Sequence, residues 1–147
     1  MIDVFICTSN DVIELAQLNQ MLIEDEKAEN TMSLPQLEQR MLAFLSSDYK
    51  AFLFSVEGKR VGYALVNITT TPFYLRQFFI CREYHRSGYG KKSFNALLDL
   101  LQITEIDIDV YTWNHTGIAF WKSLGFFERC YNMRYKKQSQ LPTENDC

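Results

Sequence analysis

Leu75-Arg-Gln-Phe-Phe-Ile-Cys-Arg-Glu-Tyr-His-Arg-Ser-Gly-Tyr-Gly90 is the stretch on which the reading of this chain turns. Leu75 to Cys81 is an apolar run rich in aromatics, the composition of a buried strand. A polar, basic loop follows. Beyond Gly90 the apolar residues fall at Phe94, Leu97, Leu98 and Leu101, a single stripe along a helix. Strand, glycine loop and helix thus follow one another directly.

That order has a chemical consequence. The first turn of a helix holds backbone N–H groups with no intrahelical partner, and the aligned peptide dipoles place roughly half a positive charge there. Gly88 and Gly90 lack a Cβ, so a bulky anion can come close, and Arg86, Lys91 and Lys92 add formal charge. The pattern suits a pyrophosphate, although the same turn also serves as a plain packing device. Two other phosphate loops do not fit. The dinucleotide fingerprint needs a third glycine where Ser93 stands, and Gly90-Lys91-Lys92 has neither the spacing nor the hydroxyl of a P-loop.

At 147 residues the chain reads as one domain, residues 1–137, with a polar tail, 138–147, expected to be disordered. Hydrophobic content of 47% against 22% charged is that of a globular protein. No apolar run has the length of a membrane span and Met1-Ile-Asp lacks the basic start of a signal peptide, so a cytoplasmic location without membrane partners is expected. Cys7, Cys81, Cys130 and Cys147 show no Cys-x-x-Cys spacing, and only His85 and His115 could supplement them; no metal site is expected. The first three cysteines read as core or near-core thiols, the last as part of the tail.

Net charge is −3, unevenly spread. Residues 1–57 hold three Lys/Arg against ten Asp/Glu, whereas residues 58–137 hold twelve against six. Such a division suits one polyanionic and one cationic ligand, or simply two solvated faces. Nucleic-acid binding fits poorly, since the net charge is negative and no basic stripe carries interleaved aromatics.

The remaining elements follow from periodicity. Ile2 to Cys7 forms a first strand. Ser9 or Asn10 caps a helix marked by Val12, Leu15, Leu18 and Leu22, which ends in the acidic run Glu24-Asp-Glu26. Ser33-Leu-Pro-Gln36 has the capping-box pattern and opens a second helix. Ala51–Val56 and Val61–Val66 flank a turn at Glu57-Gly58, a hairpin. Glu105–Val110 alternates as a strand, and a short helix from His115 to Leu124 closes at Gly125. Phe126 to Tyr135 reads as one or two closing strands. An α/β architecture follows, a mixed sheet of six to seven strands with about four helices on both faces.

With those elements placed, the chain resembles the GNAT superfamily of acetyl-CoA-dependent N-acetyltransferases. His85-Arg-Ser-Gly-Tyr-Gly90 is similar to the family's Arg/Gln-x-x-Gly-x-Gly/Ala loop after its fourth strand. Asn114, followed by Gly117-Ile-Ala-Phe-Trp-Lys-Ser-Leu-Gly-Phe126, is similar to its later Asn…Ala-x-x-Phe-Tyr-x-x-x-Gly-Phe block. The resemblance implies a sheet splayed between strands four and five to admit acetyl-CoA. It assigns the backbone of Phe78, Phe79 and Ile80 to the pantetheine arm and thioester carbonyl. The loop His85, Arg86, Ser87, Gly88, Tyr89, Gly90 and Lys91 goes to the pyrophosphate, and Asn114, Phe120, Trp121 and Lys122 to the remaining cofactor contacts. The implied activity is acetyl transfer to a primary amine of a small molecule or peptide by direct attack in a ternary complex, in a protein able to dimerise. The alternative is an acyl-CoA-binding sensor or partner module with little or no turnover.

Two departures bear on the chemistry. His85 stands where Arg or Gln is usual, with Arg86 next to it. Trp121 stands where the family often has the tyrosine that protonates the leaving thiolate, and an indole N–H cannot give up its proton near neutral pH. Tyr111, Tyr131 or water could serve instead. A carboxylate is absent from Pro72 to Ile80, which leaves Glu26 and its acidic neighbours Glu24, Asp25 and Glu29 as candidates to attract the amine or relay its proton.

Overall fold

The computed structural model describes residues 1–138, so the expected tail lies outside it except for Gln138. The chain gathers into two compact units. One is Met1–Leu22 with Met32–Asp109; the other is Ile23–Thr31 with the residues from Val110 on.

The first unit is built on a five-stranded sheet in sequence order. Its strands are β1 (Asp3–Ile6), β2 (Tyr49–Val56), β3 (Lys59–Asn67), β4 (Phe73–Ile80) and β5 (Ile106–Ile108). The first four pair antiparallel, whereas β5 runs parallel to β4. A parallel neighbour requires a crossover, and α3 (Tyr89–Leu101) provides it. Glu57 and Gly58 make the two-residue turn of the β2–β3 hairpin, with φ of 52° and 78°.

Two helices precede β2. The first, α1 (Val12–Glu26), is entered through a single 3₁₀ turn, Ser9–Asp11, whose cap is Thr8 and not Ser9 or Asn10. Thr8 has the extended backbone a cap needs. Its N–H donates to Asp11 Oδ2 at 2.8 Å while its hydroxyl accepts from the Asn10 N–H at 3.3 Å. The second helix, α2 (Leu34–Leu45), starts at the expected box: the Ser33 N–H donates to Gln36 Oε1 at 2.8 Å and the Gln36 N–H to Ser33 Oγ at 3.4 Å.

Period-two alternation distributes the strand side chains between two layers. On one face Leu15, Leu18 and Leu22 of α1 and Met41 of α2 pack with Ala51, Leu53, Tyr63, Leu65, Phe79 and Cys81. Each of the buried leucines, Met41 and Phe79 contributes roughly 1.5–3 kcal/mol by leaving water. The Tyr63 hydroxyl is buried with them and donates to Gln77 Oε1 at 2.7 Å. On the other face the rings of Phe54, Phe78 and Phe94 form a chain with centroids 5.7 and 6.3 Å apart, which seats α3. Helices thus cover both faces, as the sequence requires.

In the second unit α4 (His115–Ser123) ends at Gly125, where the Phe126 N–H bonds Trp121 O at 3.1 Å and the Gly125 N–H bonds Lys122 O at 3.0 Å. The closing strands expected over Phe126–Tyr135 do not form: among the described residues the sheet has five strands, not six to seven. Alternating hydrophobicity makes a strand only where a ladder partner exists, and here Phe127, Tyr131, Met133 and Tyr135 are largely exposed. Cys130 is exposed for the same reason, unlike buried Cys81 and half-buried Cys7.

Candidate active site

The β4–β5 ladder consists of Phe73↔Ile106, Tyr74↔Asp107 and Leu75↔Ile108 and then stops. β4 runs on from Arg76 to Ile80 with β5 no longer alongside, so the two strands part as the splay demands. The parting coincides with an irregularity on the other edge of β4. Leu65 pairs with Gln77 but Val66 pairs with Leu75, which leaves Arg76 as an extra residue, a β-bulge. Bulges bend the strand that carries them and raise its local twist. The wedge therefore has its vertex at Leu75–Arg76 and opens toward Ile80.

Alternation decides which backbone groups face the wedge. The Cys81 N–H donates to Val61 O at 2.8 Å, which fixes Cys81, and Phe79 two residues before it, as residues bonded to β3. Phe78 and Ile80 consequently turn their amides and carbonyls toward the wedge. Of the three residues assigned to the pantetheine arm, Phe79 is the one that faces the other way.

The glycine loop continues from the open end. After a 3₁₀ turn, Arg82–Tyr84, the backbone enters the left-handed region at Arg86 (φ 64°) and again at Gly88 (φ 80°). Gly88 is the N-cap of α3, which begins at Tyr89, so Gly90 lies inside the helix and not before it. The first helical bond runs from the Lys92 N–H to Gly88 O, and no capping side chain covers the preceding amides of Tyr89, Gly90 and Lys91. A Cβ built on Gly88 meets nothing within 4 Å. Space, bare amides and the positive end of a 13-residue helix together suit a diphosphate group.

The other loop residues fall into place around this point. His85 is exposed, but its Nε2–H donates to Ile80 O at 2.6 Å, so the ring braces the loop against the end of β4. Ser87 Oγ reaches His85 O at 3.5 Å, and the Tyr89 ring stands edge-on to Tyr84 with Lys92 Nζ 5.6 Å from its centroid. Arg86 and Lys91 are solvent-facing.

Asn114, Phe120, Trp121 and Lys122 belong to the second unit. Asn114 caps α4, its Oδ1 accepting from the Gly117 N–H at 3.0 Å, and its amide NH₂ stays available as a donor type. Trp121 packs edge-on to both Phe120 and Phe126, at 4.8 and 5.1 Å, as an aromatic cluster would. Lys122 pairs with Glu128 at 2.8 Å, which holds that exposed carboxyl below its usual range. Tyr111 stacks on Trp113, centroids 4.5 Å apart and planes at 13°, and the Trp113 indole N–H donates to the backbone carbonyl of Glu26 at 2.9 Å. The Glu26 carboxyl, half-buried and next to Asp25, is pushed up to about 7, by burial first and the neighbouring charge second. Glu29 forms a 3.8 Å ion pair with Arg134.

Two concavities of the first unit lie elsewhere: about 430 Å³ between the ends of β1 and α2, and about 300 Å³ between Thr70–Phe73 and Gln102–Glu105. Neither is lined by the Gly88 loop. Among the described residues no three His, Cys, Asp or Glu side chains gather as metal ligands, and no helix is long and apolar enough to cross a membrane.

A bulged strand parted from its parallel neighbour beside a glycine-capped helix defines an acyl-CoA N-acyltransferase fold. A sequence-family model for the acetyltransferase (GNAT) family matches residues 15–126, and the chain belongs to that family. Among solved structures it is similar to a possible acetyltransferase from Clostridium difficile 630, with TM-score 0.73 and 19% identity over 93% of this chain and 97% of that one. A predicted acetyltransferase from Clostridium acetobutylicum, solved with acetyl-CoA, gives 0.71 and 12% over 95% and 99%. AAC(6')-Iy in complex with the bisubstrate analog CoA-S-monomethyl-acetylneamine gives 0.72 and 16% over 94% and 99%. Identities this low speak to fold. No curated protein sequence matches the chain.

Proposed function

We propose that this protein is an N-acetyltransferase that moves an acetyl group from acetyl-CoA to a primary amine of a small molecule or peptide by direct attack in a ternary complex. The observation that carries the reading is the wedge opening from the Arg76 bulge toward the bare amides at Gly88. Support comes from fold relatives solved with acetyl-CoA and with a CoA–acetylneamine bisubstrate analog.

Acetyl-CoA supplies an activated acyl group on a thiol whose pKa, near 8.5, makes its thiolate a tolerable leaving group. The residues of this chain bind, orient and handle protons. The His85–Lys91 loop and the first amides of α3 hold the diphosphate, and the wedge-facing backbone of Phe78 and Ile80 lines the pantetheine arm. The same backbone amides are the donors for the thioester carbonyl, a role that asks nothing of side chains. Ile80 O is already occupied by His85, which leaves its N–H and the Phe78 backbone for this work. Of the candidate carboxyls, Glu26 has the pKa, about 7, that suits relay of the proton the ammonium form of an amine must lose before attack. For the leaving thiolate, Tyr111, Tyr131 or solvent has the proton chemistry required and the indole of Trp121 does not.

The test is release of free thiol when the purified protein is given acetyl-CoA with a polyamine, an aminoglycoside and a lysine peptide in turn. Turnover with any of them supports transfer. Tight CoA binding with no thiol released under all conditions would favour the binding-module reading, which the packing of Trp121 between two aromatic rings motivates. No CoA binding by calorimetry would refute both.

A further inference from the structure

The vertex of the wedge is tied by a side-chain contact between β4 and the residue just beyond β5. Tyr74 on β4 and Asp109, the residue after next from Asp107, lie on the same face of their strands, because Tyr74 is in register with Asp107. The Tyr74 hydroxyl donates to Asp109 Oδ2 at 2.9 Å, spanning the two strands at the level where their ladder has just ended. We propose that this bond is the clasp that sets where β4 and β5 part, and that Tyr74 and Asp109 are thereby positioning residues for the pantetheine arm of CoA. The proposal rests on the acetyl-CoA reading of the wedge.

The two sides of the vertex are held very differently. On the β4 side, Arg76 lies over the rings of Phe44 and Tyr49, 5.0 and 5.9 Å from their centroids, and its Nη1 donates to the Tyr49 hydroxyl at 3.4 Å. The bulge is therefore anchored to α2 and β2. On the β5 side there are three half-buried residues, the parallel ladder, and Asp109. A bond to a charged acceptor is a substantial share of what keeps so short a strand in place. Burial, and after it the Asp109 carboxylate, push the Tyr74 phenol well above its ordinary range, so the hydroxyl keeps its proton and the donor role is permanent. Without the bond, β5 is free to fray from Ile108 backward, and the slot for the pantetheine arm loses its fixed width.

Three variants test this. Tyr74→Phe and Asp109→Ala remove the bond, while Asp109→Asn keeps an oxygen that accepts from the phenol. The probes are CoA and adenosine 3′,5′-bisphosphate, which has the nucleotide end without the pantetheine arm, both followed by calorimetry. Tyr74→Phe and Asp109→Ala are expected to weaken CoA by about tenfold, the loss of one hydrogen bond to a charged group, and to leave the bisphosphate unchanged. Asp109→Asn is expected to stay near wild type. In the ligand-free protein, amide hydrogen exchange at Ile106–Ile108 should quicken in the first two variants only. Equal loss for both probes, unchanged CoA affinity, or unaltered exchange in Tyr74→Phe each overturn the clasp. Exchange needs no ligand, so it judges the clasp even if wild type binds no CoA, a result that would remove the acetyl-CoA reading instead.

Discussion

Gly58 and Gly88 form a matched pair that separates the cost of backbone strain from the loss of a ligand contact. Their φ values are 78° and 80°, and a Cβ built on either meets nothing within 4 Å. Alanine at each position therefore suffers the same penalty, the left-handed conformation of an L-residue, about 1–2 kcal/mol. For a chain of this size each kcal/mol lowers the melting temperature by about 2–4 °C, so Gly58→Ala and Gly88→Ala should melt together, a few degrees below wild type. Only residue 88 caps α3 and borders the first-turn amides. A methyl there projects into the space assigned to the diphosphate, whereas residue 58 sits in the β2–β3 hairpin. CoA titrated calorimetrically into both variants should lose at least about tenfold in affinity for Gly88→Ala, or 1.4 kcal/mol, and nothing measurable for Gly58→Ala. If the two variants bind CoA equally well, the diphosphate does not sit at this helix end and the site assignment fails.

Other expectations concern stability. Glu26 has a folded-state pKa of about 7 against an ordinary 4.5, so the folded protein holds this proton more tightly than the unfolded chain. The resulting stability is complete below about pH 4.5 and is lost as pH rises through 7. Discounted for partial exposure, the penalty above pH 7 is about 2 kcal/mol, and Glu26→Gln should be more stable than wild type by that amount at pH 8 and equal to it near pH 4 in urea unfolding. Ser33→Ala removes one half of the α2 capping box and should cost about 1 kcal/mol, read as a lower denaturation midpoint with an unchanged slope. Tyr63→Phe leaves Gln77 buried without its donor and should cost about 1–3 kcal/mol, with far-ultraviolet circular dichroism unaltered.

Much of this molecule is written in short-range chemistry. The Ser33 box, the Glu57-Gly58 turn, the stripe of α3 and the Gly125 stop each depend on residues within a few positions of one another, so their spacing predicts them. The cap of α1 shows the limit of that rule. Thr8, Ser9 and Asn10 are all capping types, and the choice fell on Thr8 because Asp11 stands where a reciprocal bond can close. The closing strands failed for a related reason: Phe126–Tyr135 has the right alternation, but a strand also needs a partner, and alternation says nothing about one.

By itself the sequence determined the order of elements from β1 to α4, the capping box of α2, and the placement of glycine and positive charge where a diphosphate would be met. Only the folded chain decided where β4 bulges, how soon β5 leaves it, that His85 spends its ring on Ile80 O, and that Glu26 titrates near neutrality. The physical reason is distance along the chain. Tyr74 and Asp109 are thirty-five residues apart and Trp113 and Glu26 eighty-seven, and no local pattern encodes a bond between them.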